Sequence, residues 1–434
     1  MWRVTATSKL IRTNALQIII IGICRPKNLE KGLTFIFTVI TNEIDEIPIK
    51  SDNRTRPIDN YNVTITNRKK AFGILYGIGY NINCIIGADI FKPENIWILV
   101  QSPGVVLVLY AVCGIISFLG SSVYIELGII SLPNGVGEQK YITDAFYPKR
   151  NVGHVFSFVA VFVIFPGIIV TESYTSAQHL LYCFRGNSSD DLITVAVSIT
   201  LLFIIMLYQM ISNRVSNYIN HALALIKIIT LLFISVVGLI KLGTNHNNWN
   251  NIFNTSFNFG AYGSGLMKVL FTYEGWNNIN YLIGELASRS DDLEYPSIIL
   301  KYSSFLSVSI SFLLYFLTNA AFITVVGYNI NDNESTPIPI RFGKELFNET
   351  GEKLMSILIA ISAFGCASAM MFTYSRIINY AIATGFMPIR IFSWLVSYSI
   401  KYLLYHIAIL WHDLSWHKRI MLIYFKKKIK EHGS

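Results

Sequence analysis

Eight long apolar runs constrain the fold of this chain more than any other feature. Each has about 20 residues or more, the length that an α-helix needs to cross the hydrocarbon core of a bilayer. Because lipid cannot satisfy backbone polar groups, such runs predict an all-α polytopic membrane protein. The approximate limits of the runs are 71–91, 103–127, 153–182, 191–211, 219–241, 263–285, 303–327 and 354–374.

Composition supports a membrane protein and argues against other classes. The 434 residues are 53% hydrophobic and only 14% charged, whereas soluble domains carry about 25% charged residues. The net charge of +9 does not indicate a nucleic-acid partner, because the basic residues lie mostly in loops and tails. Nine Lys and Arg residues lie on one side of the spans and six on the other, which predicts a cytosolic N-terminus.

Both ends of the chain differ from the apolar middle, which predicts a membrane domain over 71–388. Residues 1–70 are polar and irregular and predict a poorly ordered cytosolic tail. Residues 389–434 are divergent and basic. An interrupted apolar stretch at 391–411 leaves a ninth span open, and 417–430 predicts either an amphipathic helix on anionic lipid or a solvated tail.

Two of the eight runs contain helix-weakening residues in the middle. The sixth carries Glu274 and Gly275, followed directly by Trp276, and the first carries Gly87 and Asp89. A carboxylate at membrane depth costs about 2.5–3.5 kcal/mol on insertion scales, so it usually faces a cavity or a partner. Backbone freed by an interruption is tolerated only where it lines a site. The alternative is an ordinary kinked helix with an interfacial tryptophan.

Interrupted helices in matching positions of two halves indicate an inverted-repeat transporter with a site at the bilayer midplane. Unpaired N–H groups at the first interruption would favour a carboxylate. Free carbonyls at the second, with Glu274 nearby, would suit an ammonium. The two interruptions together predict a pocket for a zwitterionic amino acid.

Two further ionisable residues lie deep in apolar runs. Lys227 is about eight residues into the fifth run, near 12 Å at the helical rise, too deep for easy snorkelling. We interpret it as a proton carrier or a fixed cation that replaces sodium, the alternative being a structural pair with a carboxylate. Glu172 in the third run either pairs with Lys227 or hydrates a cavity. The five cysteines are scattered without a CxxC pair, and we predict neither a metal nor a cofactor.

The chain resembles the amino acid–polyamine–organocation superfamily, with the L-type amino-acid transporters and the fungal methionine permeases as the closest branch. The resemblance covers 71–388. Four groups of residues carry it: Gly87-Ala88-Asp89-Ile90-Phe91, Tyr124-Ile125-Glu126-Leu127-Gly128 with the loop that follows it to Tyr141, Phe271-Thr272-Tyr273-Glu274-Gly275-Trp276-Asn277-Asn278, and Ser375-Arg376-Ile377 with Gly385-Phe386-Met387-Pro388.

The resemblance implies twelve helices, of which the first ten form two inverted five-helix repeats. It places the substrate carboxylate at the backbone amides of Gly87, Ala88 and Asp89. Lys227 would stand where sodium binds in relatives. The substrate ammonium would meet carbonyls near Ile85 and Phe271, surrounded by Thr272, Tyr273, Glu274 and Gly275.

The sequence departs from this family in two ways. Asp89 replaces the second glycine of the first interruption, and two like charges 4 Å apart repel by about 4 kcal/mol at an effective dielectric near 20. The ninth to twelfth helices are not recognisable after Pro388, which predicts a permease core truncated after about eight helices.

From the resemblance we expect a plasma-membrane permease for neutral amino acids, methionine or other bulky apolar ones among them. It would work by alternating access, with proton coupling or exchange. Its partners would be the amino acid, the proton and the lipid bilayer, and the sequence does not specify a partner subunit. The alternative is a non-transporting relative, either a degenerate fragment or an amino-acid sensor. An intramembrane enzyme using Glu172 and Glu274 is disfavoured, because these residues lie on separate spans without a paired motif.

Overall fold

The computed structural model describes most of the apolar middle of the chain and neither end. The predictions for 1–70 and 389–434, including the ninth span and the truncated core, lie outside the described residues. The described ranges are 73–132, 137–146, 151–186, 191–211, 213–244, 246–253, 258–286, 295–327 and 336–383.

The regular elements of the described residues are helices. Short 3₁₀ segments cover Asp89–Phe91, His246–Trp249 and Asn278–Glu285, and one π-helical segment covers Ala160–Ile164. The α-helices are α1 (Ile74–Ile85), α2 (Glu94–Val100), α3 (Pro103–Ile130), α4 (Gly137–Ala145), α5 (Asn151–Val159), α6 (Phe165–Arg185), α7 (Asp191–Ile211), α8 (Asn213–Leu242), α9 (Phe259–Thr272), α10 (Tyr295–Val326) and α11 (Ile338–Ala383).

Six helical segments of the described residues are long and apolar enough to cross a membrane. They correspond to the second, third, fourth, fifth, seventh and eighth predicted spans, so the prediction of an all-α polytopic membrane protein is confirmed. The predicted limits were too short for most of them, because polar residues outside the apolar runs continue the helices. The six are Pro103–Ile130, Val152–Arg185, Leu192–Met210, Val215–Leu242, Tyr295–Val326 and Ile338–Ile382.

The first and sixth predicted spans are interrupted. α1 ends at Ile85, and the chain becomes regular again only in the 3₁₀ turn at Asp89–Phe91 and in α2. α9 ends at Thr272 and is followed by a turn and the 3₁₀ segment Asn278–Glu285. The interrupted segments are the first and the sixth predicted spans in chain order, which is the spacing expected of two five-helix repeats.

Local chemistry accounts for several helix boundaries. Ser102 accepts a hydrogen bond from the Val105 amide at the start of α3, where Pro103 occupies the first turn, and Asn258 caps α9 in the same way through the Ala261 amide. These side chains satisfy amides that have no partner within the helix.

The third crossing is continuous but irregular at its centre. Its π-helical segment, Ala160–Ile164, ends two residues before Pro166. Proline lacks an N–H and its ring crowds the carbonyl four residues earlier, so the helix widens at this point. The Tyr374 hydroxyl donates to the freed Val161 carbonyl at 2.9 Å.

α11 consists of two helices rather than one. Phe347 and Asn348 have non-helical backbone angles, so the membrane-crossing part follows this kink. The described residues up to Ile378 belong to one compact unit. The last turn of α11, Asn379–Ala383, belongs to a second unit, which otherwise lies outside the described residues.

α10 forms the centre of the first unit and packs against α8, α3 and α1. Its buried face carries a row of small polar residues that ends in Tyr315, with Ser303, Ser307 and Ser311 at regular helical spacing. α7 lies at the periphery and exposes apolar side chains such as Leu192 and Ile199. An outward apolar face of this kind suits contact with lipid.

Candidate substrate site

The carbonyl groups at the end of α1 have no partner within the helix, and side chains from other helices satisfy them. The Tyr315 hydroxyl lies 2.8 Å from the Ile85 carbonyl. The Cys366 thiol donates to the Cys84 carbonyl at 3.4 Å, and Ser362 Oγ donates to the Gly87 carbonyl at 2.9 Å. Side chains of α10 and α11 therefore stabilise the non-helical backbone of the first interruption.

Lys227 of α8 binds the same end of α1. Its ammonium donates to the Asn83 carbonyl at 2.9 Å and to the Ile86 carbonyl, and the side chain is only 1% exposed. The amine therefore occupies a position in which a cation faces the negative end of a helix dipole. Its hydrogen-bond partners are carbonyl oxygens, and Glu172 interacts with it electrostatically.

Gly275 forms the turn that ends α9, and its conformation explains why glycine stands there. Its φ is +107°, a value that side-chain-bearing residues rarely adopt. A Cβ at this position would lie 2.8 Å from the Cys84 carbonyl oxygen and 3.1 Å from the Ile85 amide nitrogen. The backbones of the two interruptions therefore touch directly.

Further polar contacts join the two interruptions. The Tyr315 hydroxyl lies 3.1 Å from the Thr272 carbonyl as well as 2.8 Å from the Ile85 carbonyl. Since a hydroxyl has one proton, it donates to one carbonyl at a time. Asn81 Nδ2 donates to the Trp276 carbonyl at 3.2 Å. Carbonyls from both interruptions thus lie within hydrogen-bond distance of the same tyrosine hydroxyl.

The amide side of the first interruption holds an unexpected group. The Ala88 amide nitrogen lies 3.2 Å from Glu172 Oε2 and 3.3 Å from Oε1, and the Gly87 amide donates to the Ile85 carbonyl at 3.0 Å. Glu172 thus accepts a hydrogen bond from the amide expected to receive the substrate carboxylate, and it also interacts electrostatically with Lys227.

The predicted site residues divide into two groups by exposure. Asp89, Phe271 and Glu274 have exposed side chains. The Asp89 carboxylate interacts electrostatically with Lys92 and Lys268. The buried group consists of Ile85, Gly87, Ala88, Thr272, Tyr273 and Gly275.

Two of the buried residues make their side-chain hydrogen bonds outside the two interruptions. The Tyr273 hydroxyl donates to the Tyr110 carbonyl of α3 at 3.1 Å, and Thr272 Oγ1 donates back to the Lys268 carbonyl of its own helix. Their side chains therefore stabilise the packing of α9. The Tyr273 ring also packs against Tyr315, with ring centroids 4.9 Å apart, so it borders the point where the two interruptions meet.

A second group of contacts, the α4 clamp, holds the segment after Gly275. It consists of Glu138 and Tyr141 of α4 with Asn277 and Asn280: Asn277 Nδ2 donates to Glu138 Oε1, and the Tyr141 hydroxyl donates to Asn280 Oδ1 at 2.9 Å. Burial raises the pKa of Glu138, and the hydrogen bond from Asn277 lowers it in part.

Trp276 packs beside the α4 clamp. Its ring lies edge-on to Tyr124, with centroids 4.9 Å apart, and the side chain is partly buried. These contacts do not fit the alternative of an interfacial tryptophan on an unbroken helix, and they tie the second interruption to the end of α3.

Sequence reasoning missed Tyr315, Ser362 and Cys366. The signal for Tyr315 was the regular row of buried serines that leads to it on α10. Ser362 and Cys366 lie in an apolar run rich in small residues, where neither spacing nor charge distinguishes them. Among the described residues, no group of three or more His, Cys, Asp and Glu side chains could hold a metal ion.

Comparison with known families identifies the proteins that this chain resembles in sequence. Residues 70–412 match the family described as amino acid permease, which is most of the chain. This chain belongs to the amino acid permease family. The match continues past Pro388, where the resemblance had been expected to end. Members of this family are transporters and not enzymes.

Individual relatives support the assignment at about 25% identity. The chain is 26% identical to the b(0,+)-type amino acid transporter 1 of Mus musculus over 74% of its own length and 64% of that protein. It is 24% identical to the high-affinity methionine permease of Saccharomyces cerevisiae over 83% of its own length and 63% of that protein. It is 26% identical to the large neutral amino acids transporter small subunit 2 of Homo sapiens over 74% of its own length and 59% of that protein. The chain thus spans about three fifths of the length of the curated relatives it matches.

Proposed function

We propose that this permease carries neutral amino acids across the membrane by alternating access. Methionine and other bulky apolar amino acids are the proposed substrates, with proton coupling or exchange as the driving force. The observation that carries the proposal is the direct contact of the two interruptions, in which Gly275 lies against the Cys84 carbonyl. Backbone amides and carbonyls that lie outside regular helix pairing, brought to one point, are what a zwitterion requires.

In this proposal the substrate binds mainly to backbone. Its carboxylate is received by amides of the Gly87–Asp89 segment, and its ammonium by carbonyls near Ile85 and Phe271. The exposed Glu274 carboxylate supplies negative charge on the ammonium side. Asp89 has an exposed side chain and two lysines in its field, which reduces its repulsion of the substrate carboxylate.

We assign ion coupling to Lys227. Its ammonium satisfies two carbonyls of the segment that must rearrange during transport. Loss of its proton would turn a charged hydrogen-bond donor into a neutral amine and weaken that end of α1. Gain and loss of the proton would thereby be linked to the conformation of the first interruption.

The proposal places the protein in the plasma membrane with a cytosolic N-terminus. The described crossings then put α4 and the end of α11 on the cytosolic side. The loop between α8 and α9 lies outside.

The direct test is uptake of radiolabelled methionine and leucine by a permease-deficient host that expresses the chain at its surface. Uptake above that of the empty host is expected. Absence of uptake despite surface delivery contradicts transport and favours the non-transporting relative. In that event, recovery of uptake by Asp89→Gly would locate the defect at the carboxylate of the first interruption.

A further inference from the structure

The anion position of the first interruption is built around Glu172. α6 brings this carboxylate to the Ala88 amide, with both oxygens within 3.3 Å of the nitrogen, and the side chain is only 7% exposed. The space comes from Gly87, where a Cβ would lie 2.5 Å from Glu172 Oε1. The Glu172 carboxylate therefore occupies space that any side chain at position 87 would fill.

No basic side chain of the described part of the chain forms an ion pair with Glu172. Lys227 and Lys92 attract the Glu172 carboxylate electrostatically, but the Lys227 ammonium donates to two backbone carbonyls and Lys92 Nζ donates to Thr175 Oγ1. The carboxylate of Asp89 adds like charge to the surroundings of Glu172. The amide of Ala88 is thus the direct hydrogen-bond donor that holds this buried carboxylate.

A free amino acid brings to the site the same chemical group that Glu172 already supplies. Both are carboxylates, and one amide hydrogen cannot serve two of them well. Two carboxylates at such a distance also repel strongly in a low-dielectric interior. Binding of a substrate carboxylate to the Ala88 amide therefore requires that Glu172 move away.

We propose that Glu172 is an internal competitor for the substrate carboxylate and so sets the affinity of the permease for amino acids. It holds the Ala88 amide until the carboxylate of a substrate takes its place. This inference rests on the proposed function, because it presupposes an amino acid bound at the two interruptions. It makes Glu172 a determinant of affinity rather than a structural partner of Lys227.

The test measures the dissociation constants of L-methionine and L-methioninamide by calorimetry on the purified full chain. Methioninamide keeps the ammonium and the side chain but carries a carboxamide instead of the carboxylate. In Glu172→Gln, methionine is expected to bind at least about tenfold more tightly, since one like charge is removed from its carboxylate position. Methioninamide, a cation that gains nothing from this removal, is expected to bind equally or more weakly.

Two further variants separate charge from contact. Glu172→Asp keeps the charge but is one methylene shorter, so it should release the amide and give a smaller gain for methionine. This variant also serves if Glu172→Gln does not fold. Glu126→Gln removes an exposed carboxylate from α3 and should leave both dissociation constants unchanged.

The outcomes distinguish this inference from the proposed function. If the wild-type chain binds methionine and neither Glu172 variant binds it more tightly, the competition is wrong while transport stands. Equal strengthening for methionine and methioninamide also overturns the competition, because the effect would not depend on a carboxylate. If neither methionine nor leucine binds to the wild type or to any variant, the proposed function is wrong and the competition is rejected with it.

Discussion

Gly275 combines two features that exclude a side chain, a φ of +107° and a backbone neighbour within reach of a Cβ. Both features arise where the second interruption meets the first. A glycine at the same point of an unbroken helix would have neither. The residue therefore reports directly on whether the two interruptions touch.

Gly275→Ala is expected to destabilise the protein by about 1–3 kcal/mol from backbone strain alone, with the overlap at the Cys84 carbonyl adding to it. We expect a lower melting temperature of the purified protein and loss of methionine uptake. Gly284→Ala is the matched control, because Gly284 has no neighbour within 4 Å of its Cβ position and no positive φ. Equal stability of the two variants would contradict the contact between the interruptions.

Lys227→Met tests the coupling role of the buried amine. Methionine has a similar length but donates no hydrogen bonds, so the Asn83 and Ile86 carbonyls lose a partner, at about 1–3 kcal/mol for each unsatisfied group. If Lys227 carries the coupled proton, uptake by the wild type rises as the external pH falls and uptake by the variant does not. The measurement is the initial uptake rate over a range of external pH. A variant with lower activity but an unchanged pH profile would reject the proton role.

At the scale of elements, α4 is a short helix that is not among the long membrane-crossing segments. Its side chains nevertheless form hydrogen bonds with the interrupted sixth segment. Its Glu138 is 3% exposed and is bound by Asn277, two residues after Gly275. Asn277 is thereby fixed from outside its own segment. Movement of the sixth segment during transport must loosen these contacts or carry α4 with it.

Protonation of Glu138 should therefore affect stability, with a definite sign. Burial raises its pKa in the folded protein above the ordinary value of about 4.5, so the folded state holds this proton to higher pH than the unfolded state does. Stability contributed by the protonated form is then lost as the pH rises from 4.5 through the raised pKa. We expect Glu138→Gln to remove this decline in melting temperature.

Asp144→Asn provides the control for that measurement. Asp144 lies on the same helix but is exposed and pairs with Lys140 at 3.0 Å. An exposed pair contributes little, about 0–1 kcal/mol, so this variant should keep the wild-type pH dependence. Parallel pH curves for Glu138→Gln and the wild type would show that the α4 clamp does not depend on this proton.

At the scale of the whole molecule, the described residues contain six helices long enough to cross a membrane and two interrupted segments, which are the first and the sixth predicted spans. If successive spans alternate in direction, the proposed cytosolic N-terminus puts α4 inside the cell and the residues after α8 outside. The described cysteines Cys84, Cys113, Cys183 and Cys366 are buried. Membrane-impermeant thiol reagents should therefore reach introduced cysteines in preference to these.

The orientation can be tested in a Cys24→Ser background. Thr244→Cys, exposed after α8, should react with an impermeant maleimide added to intact cells. Asp144→Cys, exposed on α4, should react only after the cells are opened. The reverse pattern would place the N-terminus outside and contradict the orientation inferred from the basic residues.

The amino-acid sequence by itself determined the crossing segments and the places where two of them break. Both depend on local properties, namely the length of an apolar run and the presence of glycine and a carboxylate inside it. A helix that must satisfy its own hydrogen bonds in lipid leaves few other outcomes. The limits of the helices do not follow from the apolar runs in the same way, because polar residues at either end can continue a helix.

The tertiary structure alone decided which group meets each freed backbone atom. Glu172 is 84 residues from the amide that it accepts from, and Tyr315 is 230 residues from the Ile85 carbonyl. Many buried polar side chains in this chain could have satisfied those groups. The choice among them depends on how α6, α8, α10 and α11 pack around the interruptions, because a hydrogen bond requires both atoms within about 3 Å and no pattern along the chain encodes that distance.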